Sequence, residues 1–69
     1  MQYAVVIEAG AENYSAYSPD VPGCVAAAPT LEEVKRLMRE ALVFHLEGLR
    51  EDGMPLPEPT TQVLYIDAA

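Results

Sequence analysis

The spacing of hydrophobic residues predicts three short strands in the first 28 residues. QYAVVIE (2–8) is rich in β-branched side chains, and its apolar residues on the two sides of the strand suit a central position in a sheet. AGAEN (9–13) has the composition of a hairpin connection. YSAYS (14–18) and CVAAA (24–28) follow as the second and third strands. Hairpin connections make all three antiparallel to their neighbours.

Residues 30–50 carry the pattern of one amphipathic helix. Thr30 and Glu33 have the spacing of a capping box, and Gly53 is a stop signal. One face is apolar and contains Leu31, Val34, Met38, Ala41, Leu42, His45 and Leu49. Leu37 and Phe44 widen this face on one flank. They predict either an interface with a second copy of the chain or packing on the sheet end or the proline loop.

The last third of the chain predicts a connector and a fourth strand. EDGMPLPEP (51–59) has three alternating prolines, which favour an extended connection. QVLYID (62–67) reads as a strand that a right-handed crossover would place parallel to the first strand. The expected fold is a single α+β domain over 1–69, with two layers in the order βββαβ. Its sheet would be mixed and four-stranded, in the order 3-2-1-4, with one helix on one face and Tyr and Val side chains uncovered on the other.

The segment YSPDVPGC (17–24) contains the only cysteine of the chain and two prolines. Pro22 and Gly23 suit the second and third positions of a type II turn, so a structural corner is expected here. A reactive Cys24 would need a base and an electropositive setting, and no cation lies within ten residues of it. Cys24 and the lone His45 are therefore interpreted as core residues, and no catalytic residue is assigned.

Charge is segregated along the chain. The net charge of −7 arises from 4 basic and 11 acidic residues, and all four basic residues lie on the predicted helix: Lys35, Arg36, Arg39 and Arg50. Four glutamates neutralise that helix, so the excess acid lies elsewhere. Such a surface disfavours direct nucleic-acid binding and attracts a basic protein, although acidity can also serve solubility alone. Loop positions make Glu12, Asp20 and Glu58 the candidate partner contacts.

Further features of the sequence predict the cellular location, the cofactors and the oligomeric state of the chain. The N-terminus lacks a basic region before its apolar run, so no signal peptide or membrane contact is expected, and a single cysteine suits the cytoplasm. No cluster of metal-ligand residues is evident, and neither a metal nor another cofactor is expected. A chain of 69 residues builds only a small core, which supplies little stability. We therefore expect a homodimer or higher homo-oligomer.

Several motifs together resemble the HicB-like antitoxins. They are Y-x-A-Y-S-P-D-V-P-G-C-V-A (14–26), T-L-E-E-V (30–34), E-A-L-x-x-H-L-E-G-L (40–49) and E-D-G-x-P-x-P-E-P (51–59). The resemblance implies a degraded ribonuclease H-like fold without a working active site. It also implies an antitoxin that covers the active site of a small, basic, HicA-like mRNA interferase toxin. Many such antitoxins carry a C-terminal DNA-binding segment, which is not seen after Asp67, so DNA binding is not expected.

Two alternatives remain beside the antitoxin hypothesis. A ribonuclease H-like, metal-dependent nuclease would need converging carboxylates, and Glu8 and Asp67 would end adjacent strands in the predicted order. No third acidic residue has an evident place beside them. The other alternative is an orphan homo-oligomeric structural protein whose partner has been lost.

Overall fold

A computed structural model describes residues 1–69, which form three strands and one helix. Strands β1 (Val6–Ala9), β2 (Tyr14–Tyr17) and β3 (Val25–Ala28) precede helix α1 (Leu31–Glu51). The strands pair in the order β1-β2-β3, and both pairs are antiparallel. The expected α+β class is confirmed. The predicted mixed, four-stranded βββαβ sheet of order 3-2-1-4 is wrong, because the sheet has three strands.

The strand register decides which side chains reach the helix. Ala16 of β2 lies opposite Ile7 of β1 and Ala26 of β3, so these three residues share the face on which α1 packs. The β1–β2 connection is closed by the Gly10 N–H, which donates to the Asn13 carbonyl at 2.7 Å. Small alanines on β2 and β3 let the helix approach these strands closely.

Helix α1 packs on β2 and β3, and none of its Cα atoms lies within 8 Å of one in β1. The buried hydrophobic residues of the core are few: Ala16, Val21, Cys24, Ala28, Val34 and Met38. With Ser18, they make only 7 buried residues of 69. A small core is expected here, because short chains bury a smaller fraction of their surface than long chains do.

Local signals in the sequence fix both ends of α1. The Thr30 side chain accepts a hydrogen bond from the Glu33 N–H at 3.2 Å, as expected for an N-cap. At the other end, Gly53 has φ of 69°. The Gly53 N–H donates to the Arg50 carbonyl, and the Met54 N–H donates to the Leu49 carbonyl. This pair of hydrogen bonds is a Schellman motif, which ends the helix where the sequence predicts.

The segment 62–67, predicted as a fourth strand, has no partner in the sheet. No hydrogen bond involves residues 62–69. Thr61 and Val63 instead border a surface hollow with residues 2–4, which precede β1. The chain therefore passes the sheet before the β1 ladder begins, and the segment has no paired backbone to join. The composition of residues 62–67 favours a strand. The path of the preceding connector determines whether this segment can reach the free edge of a strand.

Candidate protein-docking surface

The corner at residues 17–24 joins β2 to β3 and packs into the core. Val21 and Cys24 are buried, and the Ser18 hydroxyl donates to the Ala4 carbonyl at 2.8 Å. Gly23 has φ of 83°, and the Cys24 N–H donates to the Val21 carbonyl at 3.2 Å; both are features of a type II turn. Burial raises the pKa of the Cys24 thiol, which favours the neutral form over the nucleophilic thiolate.

Asp20, on the same corner, holds the chain segment that follows the proline connector. Its carboxylate accepts hydrogen bonds from the Thr61 N–H at 2.9 Å, the Thr61 hydroxyl at 2.8 Å and the Thr60 hydroxyl at 3.2 Å. The hydrogen bond from the Thr61 N–H contributes most to lowering the pKa of Asp20, and the hydrogen bond from the Thr61 hydroxyl contributes second most. Both carboxylate oxygens are used within the chain, so Asp20 anchors Thr60 and Thr61 whatever else it contacts.

The three acidic residues predicted to bind a partner lie at two ends of the molecule. Asp20 binds Thr60, and the Thr60 N–H donates to the Glu58 carbonyl, so Asp20 and Glu58 are close along one end of the sheet. Glu12 is exposed in the β1–β2 loop. Antiparallel order puts that loop at the opposite end from the corner. The structure therefore brings together two of the three residues and separates the third.

The sheet face turned away from α1 carries an uncovered apolar row. Val6, Tyr17 and Val25 are cross-strand neighbours in the register, one from each strand. Tyr17 is 43% exposed and Val25 is 66% exposed. Glu8 shares this face, one pleat repeat along from Val6. We call these four residues the open face. The sequence predicts Tyr and Val side chains on an uncovered side of the sheet. That Val6, Tyr17 and Val25 form one row across it follows from the strand register.

The predicted oligomer contacts on α1 have different environments. Leu37 is half-buried and packs against the core, while Phe44 is 81% exposed and leaves a single aromatic ring on the outer surface of the helix. Helix α1 also carries the basic and acidic side chains that the sequence predicts for it. Arg36 pairs with Glu40 at 3.2 Å on the exposed surface, and acidic and basic side chains share a hollow beside the first half of α1. This part of the surface has mixed charge.

The carboxylates do not converge into a reaction centre. The predicted neighbours Glu8 and Asp67 do not lie on adjacent strands, because Asp67 belongs to no strand. No group of three or more His, Cys, Asp or Glu residues is arranged to hold a metal ion.

His45 is half-buried on α1. The helix is not long and apolar enough to span a membrane. The fold and its surface define a small α+β domain whose most prominent surface feature is an uncovered face of the sheet.

Comparison with known proteins identifies the family. The sequence profile described as the HicB-like antitoxin of bacterial toxin–antitoxin systems matches residues 3–68, and the chain belongs to this family. The resemblance drawn from the motifs is thereby confirmed. The family consists of antitoxins, which agrees with the expectation of a protein that is not an enzyme.

Three similar proteins illustrate the range of the match. A 14.9 kDa protein from the rep–hol intergenic region of Haemophilus phage HP1 is 40% identical over 67 residues, which are 97% of this chain and 50% of the phage protein. The chain thus spans half the length of that relative. A UPF0150 protein of Archaeoglobus fulgidus is 36% identical over 56 residues, covering 77% of this chain and 81% of the archaeal one. A chain of the HicA3 and HicB3 toxin–antitoxin complex is 33% identical, with a TM-score of 0.72, over 87% of this chain and 70% of its own.

Proposed function

We propose that this chain neutralises a small, basic, HicA-like mRNA interferase by covering its active site. The observation that carries the proposal is the similarity to a toxin–antitoxin complex, at 33% identity and a TM-score of 0.72. Since the toxin's substrate is mRNA, the complex would form in the cytoplasm.

The charge distribution supports a basic partner. The chain has a net charge of −7, and its four basic residues are confined to α1. Complementary charge accelerates association and favours one partner over others. Glu12 lies beyond one end of the sheet, and Asp20 and Glu58 lie beyond the other. Basic side chains of the partner could therefore form ion pairs at both ends of the sheet. Because Asp20 is already hydrogen-bonded to Thr60 and Thr61, Glu12 and Glu58 are the freer contacts.

The open face supplies the apolar part of the proposed toxin interface. Tyr17 stands in the middle of the row, between Val6 and Val25, with Glu8 on the same face. Protein interfaces combine an apolar centre with a polar rim, and tyrosine is enriched among the residues that dominate binding energy. The open face has this composition, and α1 leaves it uncovered. We therefore assign Tyr17 as the central anchor and the acidic residues as the rim.

The test measures toxin binding and growth rescue with the short basic polypeptide encoded next to this chain. Tyr17→Ala should weaken binding by about 30-fold, the effect expected of a central interface residue. Glu12→Lys and Glu58→Lys should slow association and reduce its dependence on salt. Val43→Ala is the matched control, since Val43 is an exposed apolar residue on α1. It should bind and rescue growth like the wild type.

Distinct outcomes would contradict different parts of the proposal. If no neighbouring basic polypeptide binds the chain or is toxic without it, the antitoxin function itself is refuted. If the toxin binds with unchanged affinity to Tyr17→Ala and with reduced affinity to Val43→Ala, the function stands, but the interface lies on the helix. Far-UV circular dichroism of each variant would show that the fold is retained.

A further inference from the structure

An apolar hollow in the surface lies between β1 and α1. Because α1 packs on β2 and β3 and not on β1, a groove of about 260 Å³ remains between the first strand and the helix. Val5 and Ile7 form its sheet side, and Leu42 forms its helix side. Met38, which is almost fully buried, lies at its base. The groove is therefore an apolar surface that the core leaves open.

Two exposed cations border the groove between β1 and α1. Lys35 and Arg39 are one helical turn apart and line it together with the apolar residues. They are half of the four basic residues of the chain. The single ion pair of the structure joins Arg36 to Glu40, so neither Lys35 nor Arg39 is paired with a carboxylate. Two unpaired positive charges thus lie beside an apolar surface, on a chain whose net charge is −7.

The acidic residues near these cations leave them available to a ligand. Glu32 and Glu33 border an adjoining hollow, which also contains Lys35, Arg36 and Arg39. No ion pair or side-chain hydrogen bond joins either glutamate to Lys35 or Arg39. A bound anion would therefore replace water and would not break an internal ion pair. Because the net charge of the chain opposes anions in general, an anion that binds here needs apolar contact as well.

The length of the groove suits a short acyl chain. Its helix side runs from Lys35 to Leu42, which are about 10 Å apart along the axis of α1. With C–C bonds of about 1.5 Å, an extended acyl carboxylate of about eight carbons has this length. The lining side chains are four apolar groups and two cations, with no neutral polar group among them. They therefore suit a ligand that has one anionic head and a plain hydrocarbon tail.

We infer that the groove between β1 and α1 binds a medium-chain acyl carboxylate. The carboxylate would lie between Lys35 and Arg39, where the planar guanidinium can donate two parallel hydrogen bonds to its oxygens. The acyl chain would run over Met38 toward Leu42, and the methylene stem of Lys35 would cover part of it. The groove and the open face lie on opposite sides of the sheet, so this site goes beyond the antitoxin function and does not depend on it.

Octanoate titrated into the full-length chain, with amide chemical shifts followed by heteronuclear NMR, tests the site. The shifts should saturate and should be largest at Ile7, Met38 and Leu42. Binding should strengthen by about twofold for each methylene added from butanoate to octanoate, half of the effect of complete burial, because the groove is open on one side. The neutral alcohol octanol has the same chain and no charge, and it should bind about tenfold more weakly than octanoate.

Variants that remove one charge test the assignment of the carboxylate to the two cations. Arg39→Gln and Lys35→Gln should each weaken octanoate binding by about fivefold, the upper range for an exposed ion pair, and should leave octanol binding unchanged. Arg50→Gln is the matched control, because Arg50 is a basic residue of the same helix outside the groove. It should bind octanoate like the wild type. All three side chains are exposed, so far-UV circular dichroism should show unchanged helix content.

Any of four results overturns the proposal. Octanoate shifts that do not saturate, or that spread over the whole surface, would show that the chain has no such site. Equal affinities for octanoate and octanol would show that the cations do not select the ligand. Equal losses in Arg39→Gln and Arg50→Gln would reveal only a general effect of charge. Shifts at Ile7 and Leu42 that depend on the concentration of the chain and not on octanoate would assign the groove to a second copy. None of these results bears on toxin binding, so this proposal and the antitoxin function can fail separately.

Discussion

The same substitution, glycine to alanine, should have opposite effects at two positions five residues apart. Gly48 lies inside α1, and Gly53 lies just after its end with φ of 69°. An added Cβ would meet no atom within 4 Å at either position, so packing does not distinguish them. The difference between Gly48→Ala and Gly53→Ala therefore isolates the backbone conformation.

The expected magnitudes follow from that conformation. Inside a helix, alanine is more favourable than glycine by about 0.5–1 kcal/mol, so Gly48→Ala should stabilise the chain. At Gly53 the left-handed conformation costs an L-residue about 1–2 kcal/mol, so Gly53→Ala should destabilise it. The two variants should differ by about 2 kcal/mol in free energy of unfolding. For a domain of this size, the corresponding difference in Tm is about 10 °C.

Urea and thermal unfolding, followed by far-UV circular dichroism at one fixed protein concentration, measures both variants. A fixed concentration is needed because self-association would raise the apparent stability. Gly53→Asn should fall between the wild type and Gly53→Ala, since asparagine tolerates the left-handed region better. Equal effects of the two alanine variants, in either direction, would refute the assignment of the Schellman motif as the determinant of the helix end.

Two further predictions concern the core and the Asp20 anchor. Met38→Ala should destabilise the chain by about 2–5 kcal/mol, comparable to all the stability that a core of this size supplies, so urea unfolding should show largely unfolded protein. Exposed Met54→Ala is its control, and equal loss in both variants would contradict the assigned core. The pKa of Asp20 lies below its unfolded value of about 3.9, so its stabilising contribution is present above that pH and is lost as pH falls through the folded pKa. A carboxyl NMR titration should give a lowered pKa that returns toward 3.9 in Thr61→Pro, which removes both the N–H and the hydroxyl that Thr61 donates, and an unshifted wild-type pKa would refute the anchor.

The elements whose signals are local could be predicted from the sequence. The sequence predicts the helix over 30–50 and the structure has it at Leu31–Glu51, because the cap Thr30, the apolar periodicity and the stop residue Gly53 all lie in the helix or within two residues of its ends. The three strands were also located, although β1 begins at Val6 instead of residue 2. The paired part of a strand depends on its neighbour as well as on its own residues. Strand limits are therefore less determined by sequence than helix limits.

The features that the sequence did not reveal depend on contacts between distant residues. Asp20 was expected to face a partner, and its bonds to Thr60 and Thr61 join positions 40 and 41 residues apart. Thr61 and Val63 lie beside residues 2–4, ahead of β1, and 62–67 does not form the fourth strand. Its residues have high β-propensity, but propensity does not specify which strand edge a segment can reach. A single sequence gives no signal for such a contact.

The proposed toxin interface and the groove between β1 and α1 lie on opposite sides of one small sheet. Successive side chains of a strand alternate between faces, so Val6 belongs to the open face while Ile7 lines the groove against α1. A toxin bound at Tyr17, as proposed, would therefore leave the α1 side of the sheet free. Only seven residues of the chain are buried, and its acidic ends and its apolar row stay available for the proposed basic partner. The small size of the domain leaves most of its residues at the surface, where the proposed partner can reach them.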